Sequence, residues 1–251
     1  MQKFLKHWSS YLFVCMMVPG LRYYYGRSDC EGLLWILTPV VRLVRFLSGM
    51  DFVYLAGCGY VNHRYRFVVA PSCAGIRFLT IAMGMLIFSF VHRMNSRKQG
   101  MVWTLSASAA AYGYTVLVNS IRILLSIHLP RVLGQVAGKE GRLTAERLHT
   151  MIGTGVYFVS LLILYGLAEH VLEKILNRKK AGGTVSRPAA PVCWYAAAVL
   201  ILPFMKQAAA GNLSGTAGYA WTVLGVCSVV LITEQLFLHL RHALLYKKRI
   251  K

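Results

Sequence analysis

Residues 68–92 read VVAPSCAGIRFLTIAMGMLIFSFVH, a run in which Arg77 is the one formal charge. A helix rises about 1.5 Å per residue, so about 20 apolar residues cross the hydrocarbon core of a bilayer. This run is long and apolar enough to do so. Comparable runs occupy 8–25, 101–125, 149–172, 191–206 and 217–240. Together they predict an all-α integral-membrane protein, a multipass bundle of about six transmembrane helices. The fifth run is short, with Pro203 near its end. A further apolar stretch, Leu33 to Leu47, carries Arg42 and Arg45. A charge near mid-bilayer costs at least about 2.5 kcal/mol, so this stretch is expected as an interfacial or re-entrant helix on the outer face.

Composition points the same way. The chain has 251 residues, 57% of them hydrophobic and 14% charged, with a mean hydropathy of +0.53. A soluble chain carries about a quarter charged residues. The formal net charge is +20, which in a soluble protein would suggest nucleic acid. No basic stretch here is interleaved with aromatics on a solvated domain, so nucleic acid is not an expected partner. The excess instead follows the bias of Lys and Arg toward cytoplasmic loops. Segments 1–7, 93–100, 173–190 and 241–251 hold 15 basic residues in 44 positions, whereas 26–67, 126–148 and 207–216 hold 9 in 75. The first set contains one acid, Glu173; the second contains Asp29, Glu31, Asp51, Glu140 and Glu146. The first set is therefore expected on the cytoplasmic side of a cell membrane, with both termini there, as six spans require. The first apolar run is broken by Pro19-Gly20 and lacks a small-residue cleavage site, so it reads as an uncleaved span.

Three units follow. Residues 1–176 form the expected catalytic core, 177–190 a cytoplasmic loop with Gly182-Gly183, and 191–251 a C-terminal helix pair with a basic tail. The cysteines are Cys15, Cys30, Cys58, Cys73, Cys193 and Cys227. They form no CxxC pair and no metal-ligand spacing, so neither metal nor cofactor is expected. Cys15, Cys193 and Cys227 lie in apolar runs as packing residues. Cys30 and Cys58 share one outer segment, and whether they pair is open.

With that orientation, three polar residues arrive at the outer ends of three consecutive spans. Cys73 follows Pro71-Ser72 in what reads as the first turn of a helix, a position where the helix dipole favours an anion. Arg77, four residues on, would share its face. Arg122 ends the third span, with Asn119 one turn earlier; a guanidinium and an amide suit an oxyanion or a carbonyl. His149 opens the fourth span behind the expected cap Thr144, where a neutral imidazole, the form a general base needs, is favoured. Gly153 shares its face. The glycines of 126–148 suit a loop covering the site, and His128 on that side is a reserve base. Each residue also has a plainer reading: a packed cysteine, a snorkelling arginine, an interfacial histidine. A different class, a small multipass transporter or channel, would line a path with Arg122, Arg77 and Glu169. A non-catalytic anchoring protein would need none of them.

At these residues the sequence resembles the exosortase/archaeosortase family of integral-membrane cysteine transpeptidases, and within it most resembles the exosortase K branch. The resemblance covers roughly residues 30–175. It rests on Pro71-Ser72-Cys73-Ala74-Gly75-Ile76, on Asn119-Ser120-Ile121-Arg122 and on Leu148-His149. Leu37-Thr38-Pro39 also looks like the family's pattern. Ala74 stands where many members have serine, and Arg77 is a charge where an apolar or amide residue is expected. The resemblance implies a Cys73 nucleophile completed by Arg122 and His149. It implies substrates that are secreted proteins ending in a short motif, a transmembrane helix and a basic cluster, cleaved and transferred to a surface acceptor; membrane lipid is the other expected partner.

Overall fold

The computed structural model describes residues 6–136 and 145–176, together with Gly225 and Ser228; the side chains of 130–136 and 145–150 are outside that description. Within residues 6–176 the described α-helices are α1 (Trp8–Arg27), α2 (Leu34–Ser48), α3 (Ile76–Phe90), α4 (Arg97–Val136) and α5 (Ala145–Ile175). Among the described residues, three stretches are long and apolar enough to cross a membrane: Pro71–Arg93, Arg97–Leu129 and Met151–Ile175. They match the expected second, third and fourth spans. The expected fifth and sixth spans, and the loop 177–190 before them, lie outside the described residues.

α3 is the central helix. Phe78, Met85, Ile87 and Phe90 are almost wholly buried, and α1, α4 and α5 pack around them. α1 runs antiparallel to α3. At its start the His7 ring lies 3.3 Å from the Met94 carbonyl, in its middle Tyr11 stacks on Phe88, and near its end the Tyr25 hydroxyl donates to the Pro71 carbonyl at 3.2 Å. It therefore traverses the same depth as α3, although Pro19, Arg22 and Tyr23-Tyr24-Tyr25 make it less apolar than the other three. α5 runs parallel to α3: Tyr157 stacks on Phe78, Tyr165 meets Phe90, and Glu169 pairs with Arg93 at 3.7 Å.

Two expectations need correction. The stretch 126–148 is not a loop throughout, because α4 continues to Val136 and α5 begins at Ala145. Ile123 and Ile127 stay buried at helical spacing, so the apolar stripe carries the helix on. Thr144, the expected cap, is outside the described residues. Second, α2 does not lie across the end of the bundle. Its Ile36, Leu37, Val40 and Val44 are fully buried, and it packs lengthwise on α4. The Tyr112 hydroxyl donates to the Trp35 carbonyl at 2.7 Å and the Ser120 hydroxyl to the Val40 carbonyl at 3.2 Å. Position rises along both helices together, so α2 and α4 run in the same direction. Arg42 and Arg45 face outward, Arg45 on Asp51 at 2.5 Å.

The fold is not wholly helical. Between α2 and α3 the chain forms a three-stranded antiparallel sheet, β1 (Val53–Leu55), β2 (Gly59–Asn62) and β3 (Phe67–Val69). Val53 pairs with Val61, and Tyr60 with Val69. Gly59 is required, since its φ is +104° and a Cβ would sit 2.5 Å from the Val69 carbonyl oxygen. Thr38 and Tyr60 share a hydrogen bond of 2.9 Å that ties the sheet to α2. Cys30 and Cys58 are free thiols. Cys30 is buried, with its thiol 3.7 Å from the Gly57 carbonyl; burial first, then Cys58, Asp29 and Glu31, push that thiol above its ordinary range.

Candidate active site

β3 delivers the chain to a tight turn, Pro71–Cys73, that precedes α3. Cys73 therefore lies ahead of the helix rather than in its first turn. The break is Gly75, whose φ of +74° places it in the left-handed region at the helix cap. That conformation costs a residue with a Cβ about 1–2 kcal/mol. There is also no room, as a Cβ on Gly75 would meet Asn119 Cγ at 3.2 Å and Thr115 Cγ2 at 3.3 Å. The glycine lets α4 press against the turn. Cys73 is 6% exposed, shielded by its neighbours in the core.

Asn119 is fully buried and donates its amide to the Cys73 carbonyl. Its Oδ1 accepts from the Tyr157 hydroxyl at 3.0 Å and from Arg122 Nη1 at 3.5 Å. Arg122 Nη1 also donates to the Tyr157 hydroxyl at 3.1 Å. The guanidinium lies 5.3 Å from the centre of the Tyr157 ring, a cation–π distance. One connected network thus joins the cysteine turn, α4 and α5. Both sides of the Asn119 amide are engaged, which fixes its orientation.

His149 stands four residues before Gly153, and Tyr157 four after it, so the three share one face of α5. Gly153 is packed against Arg122, where a Cβ would sit 3.1 Å from Nε. Tyr157 touches the same guanidinium. The stripe that carries His149 is thereby the stripe that meets Arg122. The His149 side chain itself is outside the described residues.

The structure brings Cys73, Asn119 and Arg122 together and places His149 on the adjoining stripe. It does not bring Arg77 in: Cys73 is buried whereas Arg77 is exposed. The expected four-residue helical spacing fails because the turn and Gly75 intervene. Asn119 holds backbone rather than an open oxyanion position. His128 is exposed and meets the edge of the Tyr65 ring at 6.1 Å. Glu169 sits at the opposite end of the bundle on Arg93, so Arg122 and Glu169 do not meet. Sequence reasoning missed Tyr157, although the spacing of His149, Gly153 and Tyr157 contained the signal.

No curated protein and no solved structure matches the chain. The sequence model of the transmembrane exosortase family (Exosortase_EpsH) matches residues 2–166, a region that takes in the first two candidate membrane spans and part of the third, the cysteine turn, Asn119, Arg122 and the His149 stripe. The chain is an integral-membrane protein that belongs to the transmembrane exosortase family.

Proposed function

We propose that the protein is a membrane cysteine peptidase and transpeptidase of the exosortase K branch. It cleaves C-terminal sorting signals of secreted proteins and passes them to a surface acceptor through a thioester on Cys73. The observation that carries this reading is the hydrogen-bonded network linking the Cys73 turn to Arg122 across two helices. Precise placement of a nucleophile against a cation is what acyl transfer asks of a scaffold.

In this mechanism the thiol proton of Cys73 passes to His149 as sulfur attacks the scissile carbonyl. Arg122 faces the oxygen that becomes negative in the tetrahedral intermediate. His149 returns the proton to the leaving amine, and an amine or water then attacks the thioester. The substrate's own helix docks laterally in the bilayer, which raises local concentration without a deep pocket.

The arrangement in the membrane is part of the proposal. Six spans, with α1 the first, put residues 93–100 on the cytoplasmic side of a cell membrane. Cys73, the sheet and the His149 end of α5 then face outward, and the C-terminal pair supplies the last two spans.

The decisive test is chemical. Cys73→Ala and Cys73→Ser should abolish processing of a secreted substrate while insertion stays normal, and mass spectrometry should trap an acyl adduct on Cys73 alone. Cleavage that persists in Cys73→Ala membranes ends the proposal, and a channel or transporter would keep its activity in that variant. Arg122→Ala and His149→Ala should each cost at least about two orders of magnitude in rate. Near-wild-type activity in Arg122→Lys would rule out a role for the planar guanidinium.

A further inference from the structure

Arg22 and Arg77 are two charges that the site above does not use. Arg22 lies on α1 one turn before Tyr25, whose hydroxyl bonds the Pro71 carbonyl. Arg77 lies in the first turn of α3, six residues after Pro71. Because α1 and α3 pack antiparallel, that contact sets Arg22 beside the first turns of α3, on the seam where Arg77 emerges. Arg22 Nε is buried and has no hydrogen-bond partner among the described residues. Between Ile76 and Ile87 of α3, Arg77 is the one exposed residue; Ser72, beside Cys73, is exposed too. Asp51 is paired with Arg45 and Glu169 with Arg93, so neither of those carboxylates serves this pair.

Two like charges held together, one with a desolvated donor left open, raise the energy of the fold until an anion joins them. The geometry favours phosphate over carboxylate. A carboxylate presents two oxygens and is matched by one guanidinium fork, whereas phosphate oxygens can serve forks arriving from two helices. The site opens on the outside of the bundle, close to the end of helices long enough to cross a membrane. Lipid headgroups lie at that level.

We propose that Arg22 and Arg77 form a phosphate-binding site on the α1–α3 seam, beside the cysteine turn, that holds the headgroup of an anionic phospholipid. The proposal does not depend on the chemistry assigned to Cys73.

The full chain in dodecyl maltoside tests it. Its unfolding midpoint is followed as dioleoylphosphatidylglycerol, dioleoylglycerol or inorganic phosphate is added. The phosphatidylglycerol should raise the midpoint, and dioleoylglycerol, with the same chains and no phosphate, should not. Arg77→Gln, on an exposed residue, should lose most of the rise, as should Arg22→Gln. Arg45→Gln, which removes a different outward charge, and Cys73→Ala should both keep it. If inorganic phosphate reproduces the rise and both variants abolish it, the phosphate site stands but the lipid assignment falls. The site itself is overturned if the rise survives in Arg22→Gln/Arg77→Gln, if dioleoylglycerol matches the phospholipid, or if neither phosphate source shifts the midpoint.

Discussion

Asn119 decides the candidate site at the scale of single residues. Its amide is spent on the Cys73 carbonyl and its oxygen on Tyr157 and Arg122, so it positions the cysteine turn rather than waiting for substrate. The Tyr157 hydroxyl closes this network, accepting from the cation and donating to the amide. Removing that hydroxyl takes one partner from the buried Asn119 oxygen and one from the partly buried Arg122 guanidinium, a loss of about 1–3 kcal/mol. Tyr157→Phe should therefore lower the unfolding midpoint in detergent and slow acylation of Cys73 by about tenfold or more. A variant with wild-type midpoint and rate would show that the ring packing alone matters. Cys73, Asn119 and Arg122 were legible in the sequence because each is a polar residue at the end of an apolar run. Tyr157 was not, since a tyrosine inside such a run looks like packing until its hydroxyl is seen against a guanidinium.

Among the elements, α2 departs furthest from what its sequence suggests. Arg42 and Arg45 mark a face that stays polar, which the charges announce. Nothing in the sequence says which helix its apolar face will meet. Burial of Ile36, Leu37, Val40 and Val44 against α4 settles that, and the two contacts at Trp35 and Val40 set the direction. A Trp35→Cys/Tyr112→Cys pair and a Val40→Cys/Ser120→Cys pair should each form a disulfide under mild oxidation. A Phe46→Cys/Tyr112→Cys pair should not, because Phe46 lies 84% exposed and three turns further along α2. Efficient crosslinking of that last pair would mean α2 runs the other way. The sheet was legible in principle. Val53-Tyr54-Leu55, Tyr60-Val61 and Phe67-Val68-Val69 are β-branched or aromatic runs separated by a turn at 56–58, which contains Gly57, and one at 63–66. They are hidden because each strand is only three or four residues long, too short for alternation to stand out. What the sheet does is aim β3 at the Pro71–Cys73 turn, so it belongs to the site's support.

For the whole molecule, hydropathy and charge made the membrane character legible, because a bilayer sets both the length and the composition of what crosses it. The depth of α1 was harder to read. Its composition is mixed, and only its contacts at Met94 and Pro71 show that it traverses the bundle from end to end. Those contacts also fix which loops share a side: the α3–α4 connection lies with the start of α1, and the sheet lies with Cys73. The proposed orientation turns this into a labelling experiment. Cys58 is exposed in the turn between β1 and β2, and Lys98 is exposed at the start of α4. In intact cells, with the other cysteines replaced, a membrane-impermeant maleimide should label Cys58. In a chain whose sole cysteine comes from Lys98→Cys, it should label only after the membrane is opened. The reverse pattern would invert the bundle and place the Cys73 turn on the cytoplasmic side. A secreted protein's cleavage site would then never reach the thiol, so the sorting function fails with the orientation even if the network around Asn119 is as described.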